Sequence, residues 1–123
     1  MEVFAKIHPS EINANQFFDT QVIIRIKNDK KEQFWYKGEI TLPNLLSLTP
    51  DQTLSKAKIR FGILKAEGET EKYIKVYGSK YTDASGYSIA LNVYEYDKDG
   101  AVSDRKTSSV ELQCKPAMSQ TIS

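Results

Sequence analysis

Cysteine is nearly absent from this chain of 123 residues: Cys114 stands alone, so no disulfide can close within it. The fold must then rest on packing and hydrogen bonds, which suits a reducing cytosol and equally a disulfide-free surface module. Histidine is as scarce. His8 is the single one and lies directly before Pro9 at the end of a strand-like run, a poor place for the base of a nucleophilic triad. The six glycines are scattered one at a time, which excludes a glycine-rich phosphate loop. No apolar run approaches the roughly 18 residues of a membrane-crossing helix, so membrane insertion is not expected. No basic, apolar and small-residue leader follows Met1, and no Asn-x-Ser/Thr acceptor occurs. A complete gene product of this kind is expected in the cytoplasm, an excised domain on a cell surface. A dominant charge is missing as well. The 17 basic and 16 acidic residues leave a formal net charge of +1, and without a concentrated basic surface nucleic acid is not an expected partner.

What the sequence does contain is strand pattern. Hydrophobic residues make up 40% and aromatic residues 11% of the chain, enough for the core of one domain. Apolar residues recur at every second position in seven segments: Val3 to Ile7, Val22 to Ile26, Phe34 to Leu42, Ile59 to Ile63, Ile74 to Val76, Tyr87 to Val93, and Val110 to Cys114. Gly38 interrupts the third segment and reads as a bulge. Asp97-Lys98-Asp99-Gly100 is strong turn chemistry, because Asp tolerates tight backbone geometry and Gly accepts a positive φ. In the longest connection, residues 43–56, Thr49-Pro50-Asp51-Gln52 predicts one short helix: Thr at the N-cap, Pro at the first position, Gln three residues after the cap. No long helical periodicity accompanies it, which disfavours a parallel α/β sheet. The expected architecture is all-β: a seven-stranded antiparallel sandwich over residues 1–115, followed by a flexible polar tail over 116–123.

One local motif narrows the fold further. Asp83-Ala84-Ser85-Gly86-Tyr87-Ser88-Ile89 resembles the segment that leads into the sixth strand of immunoglobulin-like domains. There an Asp, a small residue and a Tyr stand at alternate positions, with a cysteine two residues later. Asp83, Ser85 and Tyr87 match, and Ile89 replaces the cysteine. The resemblance implies a tyrosine corner, in which the Tyr87 hydroxyl bonds back to nearby backbone, and it makes Ile24 the apolar partner of Ile89 in place of a disulfide. Lacking the cysteine pair, the chain is similar to disulfide-free immunoglobulin-like and fibronectin-like modules of prokaryotes, including the cell-adhesion-related type. Those begin with a strand, a Pro, and a second strand ending in an Asn, here Asn28.

No constellation in the sequence carries catalysis. Cys114 has an inward parity on the last strand, where a thiol without basic neighbours is inert. Glu67, Glu69 and Glu71 alternate with Gly68, Thr70 and Lys72 as at a solvated hairpin tip. Counted from Asp97 as an EF-hand loop, the fifth position is Ala101 and the twelfth Ser108, so the calcium ligand set is broken. No catalytic residue, metal or cofactor is assigned. The outward-pointing aromatics are the feature left over: Trp35, Tyr73, Tyr77, Tyr94 and Tyr96 form the candidate binding surface, since a contiguous wet apolar patch marks an interface. For Trp35 two positions stay open. Its parity places it outside, whereas its spacing from Ile24 fits the buried third-strand Trp of immunoglobulin-like domains. The expected function is a non-enzymatic binding or structural module that meets another protein, or another copy of itself, through a sheet face or an edge strand. The alternative is carbohydrate binding, with Trp35, Tyr94 and Tyr96 stacking on sugar rings.

Overall fold

Val22, Ile24 and Ile26 are buried while Arg25 between them is exposed, and that alternation is the centre of β3 (Phe18–Lys27). The same rule builds the other long strands of the computed structural model, which describes residues 1–116. In chain order all the strands, long and short, are β1 (Glu2–His8), β2 (Glu11–Asn13), β3, β4 (Phe34–Thr41), β5 (Leu46–Ser47), β6 (Lys56–Leu64), β7 (Glu69–Gly78), β8 (Ser85–Tyr96) and β9 (Val102–Lys115). They form a four-stranded sheet ordered β1-β3-β7-β5 and a five-stranded sheet ordered β2-β9-β8-β4-β6. Each step along the chain from β1 to β8 changes sheet, whereas β8 and β9 are neighbours in the same sheet. Ile24, Ile26 and Val76 from one sheet and Tyr36, Ile40, Ile89, Val93 and Leu112 from the other belong to a single buried cluster.

The structure corrects the sequence reading at several points. There are nine strands among the described residues, not seven. The two extra ones, β2 and β5, are three and two residues long, too short to show a period of two. β2 runs parallel to β9, so the sandwich is not wholly antiparallel. The helix expected within residues 43–56 is absent. Ser47 takes over that loop: its hydroxyl donates to the Gln52 carbonyl and accepts the N–H groups of Thr49 and Leu54. The Thr49 hydroxyl donates to the Gln52 carbonyl instead of accepting an N–H as an N-cap would. Leu54 is the one apolar residue between Pro50 and Ser55, so a helix there would have no stripe to bury. Gly38 is not a bulge. The register shift lies opposite, where β6 carries the extra residue Phe61 between Arg60 and Gly62. Gly38 serves a close approach, since a Cβ there would stand 2.8 Å from the Phe61 ring. The shift turns Ile63 outward and Leu64 inward, reversing the parity expected of Ile63. Of the proposed tail only Pro116 falls within the described residues.

The Tyr87 ring is buried, and its hydroxyl lies 2.9 Å from the Asp83 carbonyl and 2.5 Å from the Asp83 carboxylate. Burial, and then the Asp83 carboxylate, push the Tyr87 pKa up to about 12, so the hydroxyl remains a donor at neutral pH. Ile24 and Ile89 are both in the core. Burial likewise raises the pKa of the Cys114 thiol, which keeps it un-ionised. Removing only the corner hydroxyl, Tyr87→Phe, is expected to cost about 1–3 kcal/mol, the loss of a hydrogen bond in a partly buried site. Tyr94→Phe on the opposite face of the same strand should stay within about 0.5 kcal/mol of the parent. Urea melts with unchanged slopes measure both, and a Tyr94 variant more damaging than the Tyr87 variant would refute the corner.

Candidate functional site

Glu95 continues the inward series of β8 and is fully buried, at 0% exposure. A carboxylate there is tolerable only with partners, and three segments supply them. Tyr36 of β4 donates its hydroxyl to one oxygen at 2.7 Å. Ser103 of β9 donates to the other at 2.7 Å, beside the ammonium of Lys30 from the β3–β4 connection. Ser103 is the extra residue at the register shift between Glu95 and Tyr96, and a bulge of this kind re-aims a side chain. Burial alone would raise the Glu95 pKa; the bonds from Lys30, Tyr36 and Ser103 outweigh it and hold the carboxyl below its ordinary value. Contact with Glu95 raises the Lys30 pKa against the opposing effect of burial. Burial, with Glu95 beside it, raises that of Tyr36 as well, so Tyr36 is a fixed donor and Glu95 a fixed anion.

This arrangement decides the position of Trp35. Tyr36 takes the core place on β4, and its neighbour Trp35 is turned outward, 48% exposed. Cross-strand register then places side chains in rows over the outer face of the five-stranded sheet. The first row, running from β6 to β9, is Ile63, Trp35, Tyr96 and Val102. Ile63 is 49% and Val102 55% exposed. The second row is Arg60, Lys37, Tyr94 and Arg105, and the third is Lys58, Glu39, Asn92 and Thr107. An apolar row is thus flanked by a row with three cations. Lys37 reaches over the Tyr96 ring at 5.7 Å and Arg105 over Tyr94 at 5.9 Å, within the range of cation–π attraction. An open hollow of about 450 Å³ lies along Lys37, Glu39, Lys58, Arg60, Tyr94 and Tyr96. Another of about 390 Å³ runs from Trp35 and Tyr96 to the Asp97–Gly100 turn.

The five candidate aromatics are therefore not one surface. Trp35, Tyr94 and Tyr96 share the face just described. Tyr73 is exposed beside Ile23 on the outer side of the four-stranded sheet. Tyr77 lies at the end of that sheet, in a hollow of about 370 Å³ with Phe17, Leu45 and Tyr81. Asp97 uses its carboxylate locally, accepting the N–H groups of Asp99 and Ala101 at 2.9 Å each. Sequence reasoning overlooked Glu95, Ile63 and Val102. The signal for Glu95 was present in the alternation Tyr87, Ile89, Leu91, Val93, whose next member it is. Ile63 and Val102 lie beyond bulges, where counting by twos fails.

No family model and no curated protein matches this sequence. Among solved structures, a non-cellulosomal cohesin from the hyperthermophilic archaeon Archaeoglobus fulgidus is similar over 91% of this chain and 91% of its own length, at 18% identity and a TM-score of 0.45. A likeness of that degree does not bear on what this chain binds.

Replacing Glu95 by Ala leaves the Tyr36 hydroxyl buried without an acceptor and is expected to cost about 2–4 kcal/mol. Lys30 adds less, since its side chain is 38% exposed. The folded-state pKa of Glu95 is depressed, so its contribution is present above the unfolded-state value of about 4.3 and fades as pH falls through the lower folded value. Glu95→Gln should therefore flatten the acid limb of the stability curve below about pH 4. An acid limb identical to the parent's, measured by urea melts across that range, would contradict the assignment.

Proposed function

We propose that the protein is a non-enzymatic binding module that meets another protein through the outer face of its five-stranded sheet. The observation that carries this reading is the outward row Ile63, Trp35, Tyr96 and Val102, exposed apart from the half-buried Tyr96, which crosses four strands next to Arg60, Lys37 and Arg105. Single exposed apolar residues need no explanation, but a contiguous row bordered by polar groups has the anatomy of an interface core with its rim. Aromatic and Arg side chains are also the types that concentrate binding energy. The disulfide-free prokaryotic adhesion-type module that the sequence resembles would use such a face for cell-surface contacts.

Carbohydrate stacking is the weaker reading. The Tyr94 and Tyr96 rings are tilted 39° to each other with centroids 6.4 Å apart, so the two do not offer the shared plane that a flat sugar-ring platform requires. Trp35 is the only tryptophan, which makes its emission a direct reporter of this face. In the free protein it should be red-shifted and readily quenched by acrylamide. A partner recovered from the source cells should shift it to the blue and shield it. Trp35→Ala combined with Ile63→Ser should weaken that partner by about tenfold or more, as for interface hot spots. Tyr73→Ala should leave it unchanged. Loss of the partner with Tyr73→Ala and retention with the double variant would place the interface on the other sheet and end the proposal.

A further inference from the structure

β6 is the outermost strand of the five-stranded sheet and pairs with β4 alone. Among the described residues, no other segment bonds to the backbone of residues 56–63 on its free side. Its nine residues make it the longest edge strand of the sandwich, since β1 has seven, β2 three and β5 two. An edge of this length displays a row of unpaired N–H and C=O groups, a template for another strand.

The side chains along that edge carry one sign. Lys56, Lys58 and Arg60 stand at alternate positions on the outer face, while Ala57, Ile59 and Phe61 turn toward the core. None of the three cations belongs to an ion pair among the described residues. Lys37 backs Arg60 from β4; Glu39 lies opposite Lys58 without reaching ion-pair distance. β1, by contrast, mixes Glu2 with Lys6 on its outer face.

Two consequences follow from the chemistry of that row. A second copy of β6 laid along the first would set cation against cation, which is unfavourable for directly opposed pairs. A strand with acids at every second position repeats at about 6.6 Å, the same spacing as the three cations, and places each carboxylate opposite one of them. The geometry points to β6 as the docking edge for an extended acidic segment of a partner protein, added as a sixth strand. Its acids would lie over Lys56, Lys58 and Arg60, and its alternate small apolar residues would cover Ala57 and Ile59. A peptide meets both needs of the edge, charge and main-chain hydrogen bonds, whereas a nucleic acid or a sulfated polysaccharide meets only the first. The Phe61–Gly62 bulge limits the strand to the stretch before it, because a bulge twists an edge away from pairing.

This inference rests on the five-stranded sheet being a protein-binding surface, and its test is separable from that reading. The probe is a synthetic ten-residue peptide of alternating Glu and Val, titrated into the isotopically labelled protein and followed by amide shifts and hydrogen exchange. Binding should weaken with added salt, and the shifts and new amide protection should centre on residues 56–60. The matching Lys–Val peptide should not bind. Reversing the row with Lys56→Glu, Lys58→Glu and Arg60→Glu should lower the affinity for the Glu–Val peptide by about tenfold or more and create affinity for the Lys–Val peptide, as expected of an electrostatically selected pair. Should the reversed protein fold poorly, the three Gln substitutions give the same loss without the gain. Trp35→Ala should leave peptide binding intact. No binding, equal binding of both peptides, or shifts confined to the Trp35 row would overturn the inference. So would tighter binding of oligo-dT or heparin than of the peptide. A protein partner that still depends on Trp35 would in each of those cases leave the proposed binding face standing.

Discussion

The buried carboxylate of Glu95 is the constraint on which the placement of the outer aromatic face depends. It must be satisfied from several directions at once, and it draws on the β3–β4 connection, on β4 and on β9 to do so. Meeting that demand fixes Tyr36 inward, and a strand that turns one residue inward turns its neighbour outward. Trp35 is on the surface for that reason. The aromatic face is thus a by-product of a polar contact in the interior, and a change at Glu95 should be felt on the outside of the sheet.

Asn28 plays a comparable part at the end of β3. It is fully buried, with its amide nitrogen near the carbonyls of Glu32, Leu64 and Lys65 and its oxygen accepting the N–H of Lys30. One short side chain thereby substitutes for backbone partners that two turns would otherwise lack. It also holds in place the segment from which Lys30 reaches Glu95. Neither residue belongs to the apolar core, yet both determine how the two sheets are joined at this end. That is the specificity role sometimes carried by buried polar groups.

How much of this was legible in the sequence depended on strand length and on regularity. The long strands were readable because alternation over several residues leaves few choices, as in Val22 to Ile26 and Tyr87 to Val93. β2 and β5 were not, because their existence depends on β9 and β7 lying alongside them. The helix expected near Thr49 failed for a related reason: a capping pattern is local, and the Ser47 hydroxyl offered a competing closure of the same loop. The site was half legible. Outward tyrosines and Trp35 could be named, but the partition between two faces could not, since it requires knowing which strand sits in which sheet. The cation row of β6 was visible as Lys58 and Arg60; that β6 is an edge was not.

The two bulges carry one more implication. The extra residues Phe61 and Ser103 both fall between the first row of the outer face and the rows behind it, while β4 and β8 run straight through. Loss of the extra residue at either point would rephase the strand beyond it and change which side chains flank Trp35 and Tyr96, and it would also remove an interior group: the Phe61 ring from the core or the Ser103 hydroxyl from Glu95. Surface pattern and interior are thus tied together at both points. A change of chain length at either point would therefore alter the chemistry of the outer face only together with the interior contacts that support it.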